Sequence, residues 1–336
     1  MRTLITGGTV ISMDPTTGDL DPGEVLLENA LIVDVAEHID APDAVVIDAS
    51  DLATRMRRQR PFAQVDVFSQ TAYLGNPVAV ILDAEDLEDA DMQRIARWTN
   101  LSETTFVLPP TAREADYRLR IFTPGGELSF AGHPTLGSAH AWLERGGTPK
   151  VSERLVQECD AGLVEVRRRA GLLSFAAPPT RRSGAIEEEY VSQIVDAFGI
   201  DREQVLAHQW VDNGPGWAVV RLATAHEVLE LQPDLSRIPT AMVGAIGAHP
   251  DGNEHAFELR TFAPGVGVAW DPVCGSMNAA VAQWLLRTGA VSGSYRVSQG
   301  RRLGRAGDVT ITADPDGTIW VGGNTNTLFH GAALAH

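Results

Sequence analysis

The sequence has little of what several classes of function require. It holds two cysteines, Cys159 and Cys274, in 336 residues. A disulfide framework needs more, and no cysteine pair has the spacing of a zinc site. Free thiols fit a reducing, cytoplasmic setting. Cationic residues are also short: 27 lysines and arginines face 44 aspartates and glutamates, a formal net charge of −17. Such a field repels nucleic acid and anionic membrane, so neither is expected as a partner, and it keeps the chain in solution. No segment approaches the ~20 apolar residues that a membrane helix needs. The N-terminus lacks the charged-then-apolar pattern of a secretory signal. What remains is an ordinary globular composition, 44% hydrophobic and 21% charged, in a chain long enough for two domains and a substantial core. The expectation is a soluble, cytoplasmic protein.

The first fifty residues read differently from the rest. Short β-rich runs at Thr3–Thr6, Thr9–Ser12, Glu24–Glu28, Leu31–Val35 and Ala44–Ile47 are separated by Gly, Asp and Pro turns. This stretch has ten acidic residues and one arginine, about half the net charge of the chain. A basic stretch, Arg55 to Pro61, follows. The organisation expected is a β-rich appendage at 1–50, a linker at 51–61, and two lobes at 62–174 and 175–336.

The two lobes follow from an internal repeat. "YRLRIFTPGGELSFAGHPTLGSAHAWL" matches "FELRTFAPGVGVAWDPVCGSMNAAVAQWL": Leu119, Arg120, Phe122, Pro124 and Gly125 fall on Leu259, Arg260, Phe262, Pro264 and Gly265. With small gaps, Ala131-Gly132 falls on Cys274-Gly275, and Trp142-Leu143 on Trp284-Leu285. Each copy reads strand, turn, strand, glycine, then a helix apolar on most faces, which must be buried. The fold class expected is α+β: two pseudo-repeated lobes, each a curved, mostly antiparallel sheet around a central helix. The amphipathic stretch "DLEDADMQRIARWTN" adds a surface helix with Met92, Ile95, Ala96 and Trp98 or Thr99 near one face.

Such a fold brings two helix N-termini to one cleft. Their unpaired N–H groups favour a carboxylate without a cationic side chain, and Gly132 and Gly275 let it approach the backbone. Around them fall His133, Asp271, Ser276 and Glu103 of "NLSETTFV". A carboxylate in a partly apolar cleft has its pKa raised, which suits acid/base work, and His133 is a natural proton carrier. Plainer roles stand beside these. Ser102 and Glu103 fit a surface turn, Asp271-Pro272 is a common turn pair, and His133 fits a helix start. Cys274 poses its own alternative. A helix start favours a thiolate, whereas a buried cysteine is a small hydrophobe.

From Phe62 to Leu334 the chain resembles the PhzF (phenazine biosynthesis) family, of diaminopimelate epimerase-like fold. The pieces are "VDVFSQTAYLGNPVAVIL", "NLSETTFV", "RIFTPGGELSFAGHPTLGSA", "RTFAPGVGVAWDPVCGSMNAAVAQWL" and "VSQGRRLGRAGDVTI". The resemblance implies a homodimeric isomerase working without metal or organic cofactor on a small carboxylated, cyclic or unsaturated metabolite. It implies that Glu103 shuttles a proton between carbons, and that His133, Asp271 and Ser276 act with it. Gly132, Gly275, Cys274 and Asn76 are expected to contact the substrate. The sequence departs from the family at Trp270, where glutamate is usual, and at Cys274, where threonine is usual. In the related racemases that second place holds one of two catalytic thiols, but the partner place is Ala131, which disfavours two-thiol chemistry. A one-thiol dehydratase or epimerase, or a non-catalytic binding protein, are the alternatives. Trp270, Tyr73 and Trp217 are the large side chains expected to shape the pocket. Residues 1–50 resemble the first strands of amidohydrolases, but none of the nine histidines forms the His-x-His pair that announces their metal barrel. Solubility or packing is the role expected of this appendage.

Overall fold

The computed structural model describes residues 1–11, 17–49, 58–169 and 171–335. The chain forms two compact units, Met1–Gln59 together with Leu334–His336, and Arg60–Ala333, so the expected second lobe ends at Ala333 rather than at residue 336. The N-terminal unit is a four-stranded sheet in the order Leu31–Ala36, Leu20–Glu28, Arg2–Val10, Val45–Asp48. The first three are antiparallel and the last is parallel to Arg2–Val10. The runs expected at Thr3–Thr6 and Thr9–Ser12 are one strand, which shifts register on either side of Gly8, while Ser12 lies outside the described residues. A core of Leu4, Leu26, Ile39 and Ala41 holds the sheet. Of the expected linker, residues 51–57 lie outside the described residues and 58–61 open the strand Arg58–Val67.

The larger unit is built twice on one plan, the α+β architecture expected from the repeat. In the first half, strand Asn76–Ile81 pairs parallel with Glu103–Leu108, with helix α1 (Asp89–Thr99) between them in sequence. Glu103–Leu108 pairs antiparallel with Tyr117–Phe122, which pairs with the short Glu127–Leu128. Helix α2 (Gly132–Glu144) follows, then strand Arg154–Cys159, which returns parallel to Tyr117–Phe122. Helix α3 (Glu188–Phe198) lies between the halves in sequence. The second half repeats the pairings: Ala218–Thr224 parallel with Val243–Ala248, with helix α4 (Ala225–Glu230) between them in sequence; Phe257–Ala263 antiparallel to Val243–Ala248 and to Val268–Asp271; helix α5 (Gly275–Arg287); and Tyr295–Gln299 parallel to Phe257–Ala263. The sheets are thus mixed, with parallel pairs at corresponding places. Leu172–Ala176 pairs antiparallel with Ile319–Gly323 and joins the halves; the expected lobe boundary at 174/175 falls inside that first strand.

Local sequence explains these elements. "NPVAVI" is buried along nearly its whole length, as befits a strand covered on both faces. In α1, Met92 and Ala96 are buried and Thr99 bonds back to Ala96, whereas Trp98 faces solvent. Asn100 ends α1 in the left-handed conformation, one of the few residues that tolerate it. Helices α2 and α5 are buried over most of their length, so they form the centres of the lobes.

Their N-termini abut. A Cβ added to Gly132 would lie 2.8 Å from the Gly275 Cα and 2.7 Å from the Phe175 ring; one added to Gly275 would lie 2.9 Å from the Gly132 Cα. The obstacle is backbone, which cannot rotate away. We expect Gly275→Ala to destabilise the unit by ~1–3 kcal/mol, read as a lower thermal midpoint. Gly126→Ala, with open space around it, is the control expected to stay near wild type.

Candidate active site

The paired helix starts floor a cavity open to solvent, with about 440 Å³ of empty space counting its open side. Ala131, Gly132, His133, Cys274, Gly275 and Ser276 line it, with Glu103 and Asp271 at its side and an apolar wall that includes Phe130, Trp217, Met242 and Val268. Neither helix start is capped by a side chain, and neither first turn carries an acidic residue. The first N–H groups of both helices are therefore left for a ligand.

Glu103 opens the strand Glu103–Leu108, whose pairing across from Val78 holds it beside the cavity. Its carboxyl is buried, and its Oε2 lies 3.3 Å from His133 Nε2. Neither atom has a hydrogen-bond partner among the described residues. Burial pushes the Glu103 carboxyl well above the ordinary range, and the neighbouring charge of Asp271 pushes it further. Burial also raises Asp271, to about 6, against hydrogen bonds from Cys274, Val273 and Asn76 that favour its charge. Two carboxyls that repel one another in a dry site hold one proton between them. Burial lowers His133 to about 3, opposed in part by the Pro77 carbonyl, so its imidazole is neutral at working pH.

The remaining expected residues fall into place as follows. Ser276 Oγ accepts a bond from the Trp217 indole (3.0 Å) and its carbonyl accepts one from Asn213 (3.0 Å). Cys274 is the N-cap residue of α5. The helix start does not make it a thiolate: burial, then the charge of Asp271, raise the thiol well above its ordinary value. Asn76 is buried behind the cavity and outside its lining. Its Nδ2 reaches His133 Nδ1 (3.1 Å), Asp271 Oδ1 (2.9 Å) and the Val273 carbonyl (3.0 Å). It ties the two lobes' polar groups together. Of the large side chains expected to shape the pocket, Trp217 does so; Trp270 and Tyr73 do not line it.

Gln299 was not foreseen. Its Oε1 accepts from the Cys274 N–H (3.1 Å) and Asn278 Nδ2 (3.1 Å), and its Nε2 donates to the Asp271 carbonyl (3.1 Å). One side chain thus clamps the turn from Asp271 to the start of α5. It lies in "VSQG", part of a stretch already notable in the sequence, but a role in clamping that turn is visible only once strand Tyr295–Gln299 is placed beside Phe257–Ala263. Among the described residues, no group of three or more His, Cys, Asp or Glu is arranged to hold a metal ion. No helix among them is long and apolar enough to cross a membrane.

Two predictions follow from burial. Both cysteines are buried and burial raises both thiols, so a thiol reagent should label the native protein at least tenfold more slowly than the denatured one. The two raised carboxyls make the native state bind protons that the unfolded chain has released. Stability should therefore fall as pH rises from the ordinary carboxyl range of about 4 through 6 and beyond. Glu103→Gln should raise the thermal midpoint over wild type at pH 8 and leave it nearly unchanged at pH 4.

Comparison with known proteins gives the family of the chain. The family model described as phenazine biosynthesis-like protein (PhzC-PhzF) matches residues 65–333. The chain is 39% identical over 294 residues to antisense-enhancing sequence 1 of Schizosaccharomyces pombe, covering 82% of this chain and 99% of that protein. It is 35% identical to the trans-2,3-dihydro-3-hydroxyanthranilate isomerase of Pseudomonas fluorescens, covering 72% and 86%. A crystal structure of a PhzF-family phenazine biosynthesis protein from Enterococcus faecalis superposes with a TM-score of 0.67 at 26% identity, covering 82% of this chain and 99% of that one. The chain therefore belongs to the PhzC-PhzF family of phenazine biosynthesis-like proteins, several of whose named relatives are isomerases.

Proposed function

We propose that the protein is an isomerase that moves a proton between carbons of a small carboxylated metabolite. The observation that carries this reading is the facing pair Glu103 Oε2 and His133 Nε2, 3.3 Å apart, buried, and without hydrogen-bond partners among the described residues. Such groups are costly unless a ligand completes them. The substrate carboxylate rests on the N–H groups at Gly132 and Gly275, and its carbon skeleton lies against Phe130, Trp217, Met242 and Val268. The apolar wall suits an unsaturated or cyclic body.

Glu103 is the proton carrier. In its protonated form it delivers a proton to one carbon; as the carboxylate it removes one from another on the same face, and the cycle closes on itself. Asp271, ionised above about pH 6, and neutral His133 orient the substrate's polar groups. The acid and the base come from one side chain used twice, so the steps call on no cofactor. Acid/base catalysis of this kind contributes ~10²–10⁴-fold.

The test is Glu103→Gln, assayed first with trans-2,3-dihydro-3-hydroxyanthranilate, the substrate named for the Pseudomonas relative, then with related cyclic acids. Turnover should fall by ~10²–10⁴, and deuterium from solvent should no longer enter the product. Full turnover with full exchange in the variant overturns the reading. The pH profile gives a second check. kcat/KM should decline below about pH 6 as Asp271 takes up a proton, and this limb should be missing in Asp271→Asn.

A further inference from the structure

The two halves differ in what stands beside a paired arginine, and the difference leaves a buried guanidinium nitrogen without a hydrogen-bond partner among the described residues. Arg120 and Arg260 are repeat partners. In the first half, Ile121 pairs with Leu128; in the second, Thr261 pairs with Asp271. Glu127 and Trp270, each one residue earlier, therefore occupy the same place beside the arginine. Arg120 is satisfied there: its Nε and Nη2 donate to Glu127 (2.8 and 2.6 Å), and its Nη1 donates to Asp89 (2.5 Å). Arg260 has an indole in that place. Its guanidinium lies 4.6 Å from the Trp270 ring centre and 5.1 Å from that of Phe262.

The rest of Arg260 is tightly held. Its Nη1 donates to the carbonyls of Val228 (3.0 Å) and Leu231 (2.7 Å), at the C-terminal end of α4. Its Nη2 is buried and has no partner among the described residues, and the residue as a whole is 5% exposed. It lines a small cavity behind the Asp271 strand, with Trp270, Gln299, Gly300 and Arg302 among the other walls. The cavity has room for about one water-sized occupant, roughly 10 Å³. Burial and the neighbouring charge of Arg302 both act against the charge of Arg260, and Glu258 offsets them in part. Two cations thus flank a hole of atomic size at the place where the sister lobe puts a carboxylate.

We propose that this cavity is a binding site for a small monovalent anion of chloride type, which takes the place that Glu127 holds in the first lobe. The unpartnered Arg260 Nη2, with the charge of Arg302 at the same cavity, favours an anion over water. Room for about one water-sized occupant favours a small ion over phosphate or an organic acid. The site shares Asp271 with the cavity at the paired helix starts, while its other walls lie outside that cavity.

The test compares sodium chloride with sodium gluconate at equal ionic strength. Chloride should raise the thermal midpoint in a saturable way, as a ligand of the native state does, and gluconate should not. Trp270→Glu restores the carboxylate of the sister lobe. It should abolish the chloride-dependent rise and lift the midpoint in gluconate to the chloride value of wild type or above. Arg302→Gln, an exposed change, should weaken the apparent chloride affinity at least threefold. Bromide diffraction on the wild-type protein should place an anomalous peak within ~3.5 Å of Arg260 Nη2. Equal midpoints in the two salts, a water in place of the bromide peak, or an undiminished chloride effect in Trp270→Glu would each overturn the proposal.

Discussion

The contact between Gly132 and Gly275 is the constraint on which the larger unit depends. Two buried helices can start at one point only if neither carries a side chain there, because a Cβ on either glycine would come within 2.8–2.9 Å of the other's Cα. Once they meet, their dipoles and free N–H groups converge, and the floor of the cavity is electropositive without a lysine or arginine in it. The same contact requires both lobes to be present, since each supplies one helix start.

The carboxyl chemistry follows from that floor. Glu103 enters from the first lobe and Asp271 from the second, and burial raises both carboxyls, with the charge of Asp271 raising Glu103 further. Asn76 reaches from the first lobe to His133, to Asp271 and to the Val273 carbonyl, and Gln299 clamps the turn that bears Asp271. These two amides keep the groups of the cleft in register. The raised carboxyls cost the fold stability where the unfolded chain would release their protons.

Much of this was legible in the sequence because the repeat was. Aligning the two copies places Gly132 over Gly275 and makes the helix starts, rather than the thiol, the shared element. The standing of Cys274 was not legible: a helix start lowers a thiol and burial raises it, and only the packed structure says that burial prevails. Trp270 was expected to help shape the pocket beside Asp271. In fact both residues lie in the strand Val268–Asp271, where neighbours point to opposite faces, so Asp271 faces the cavity and Trp270 faces Arg260. Gln299 stands 28 residues from the carbonyl it binds, a separation that no local pattern bridges.

The central claim is that the cleft holds one proton on its carboxyl pair at neutral pH, with Glu103 as the group that keeps it. Infrared difference spectroscopy of the wild type against Glu103→Gln reads this directly through the stretch of a protonated carboxyl. The account predicts a buried carboxylic acid band present at pH 7, absent from Glu103→Gln, and lost from the wild type only on going well above neutrality. A wild-type spectrum at pH 7 with no such band, or one unchanged by the substitution, would contradict it.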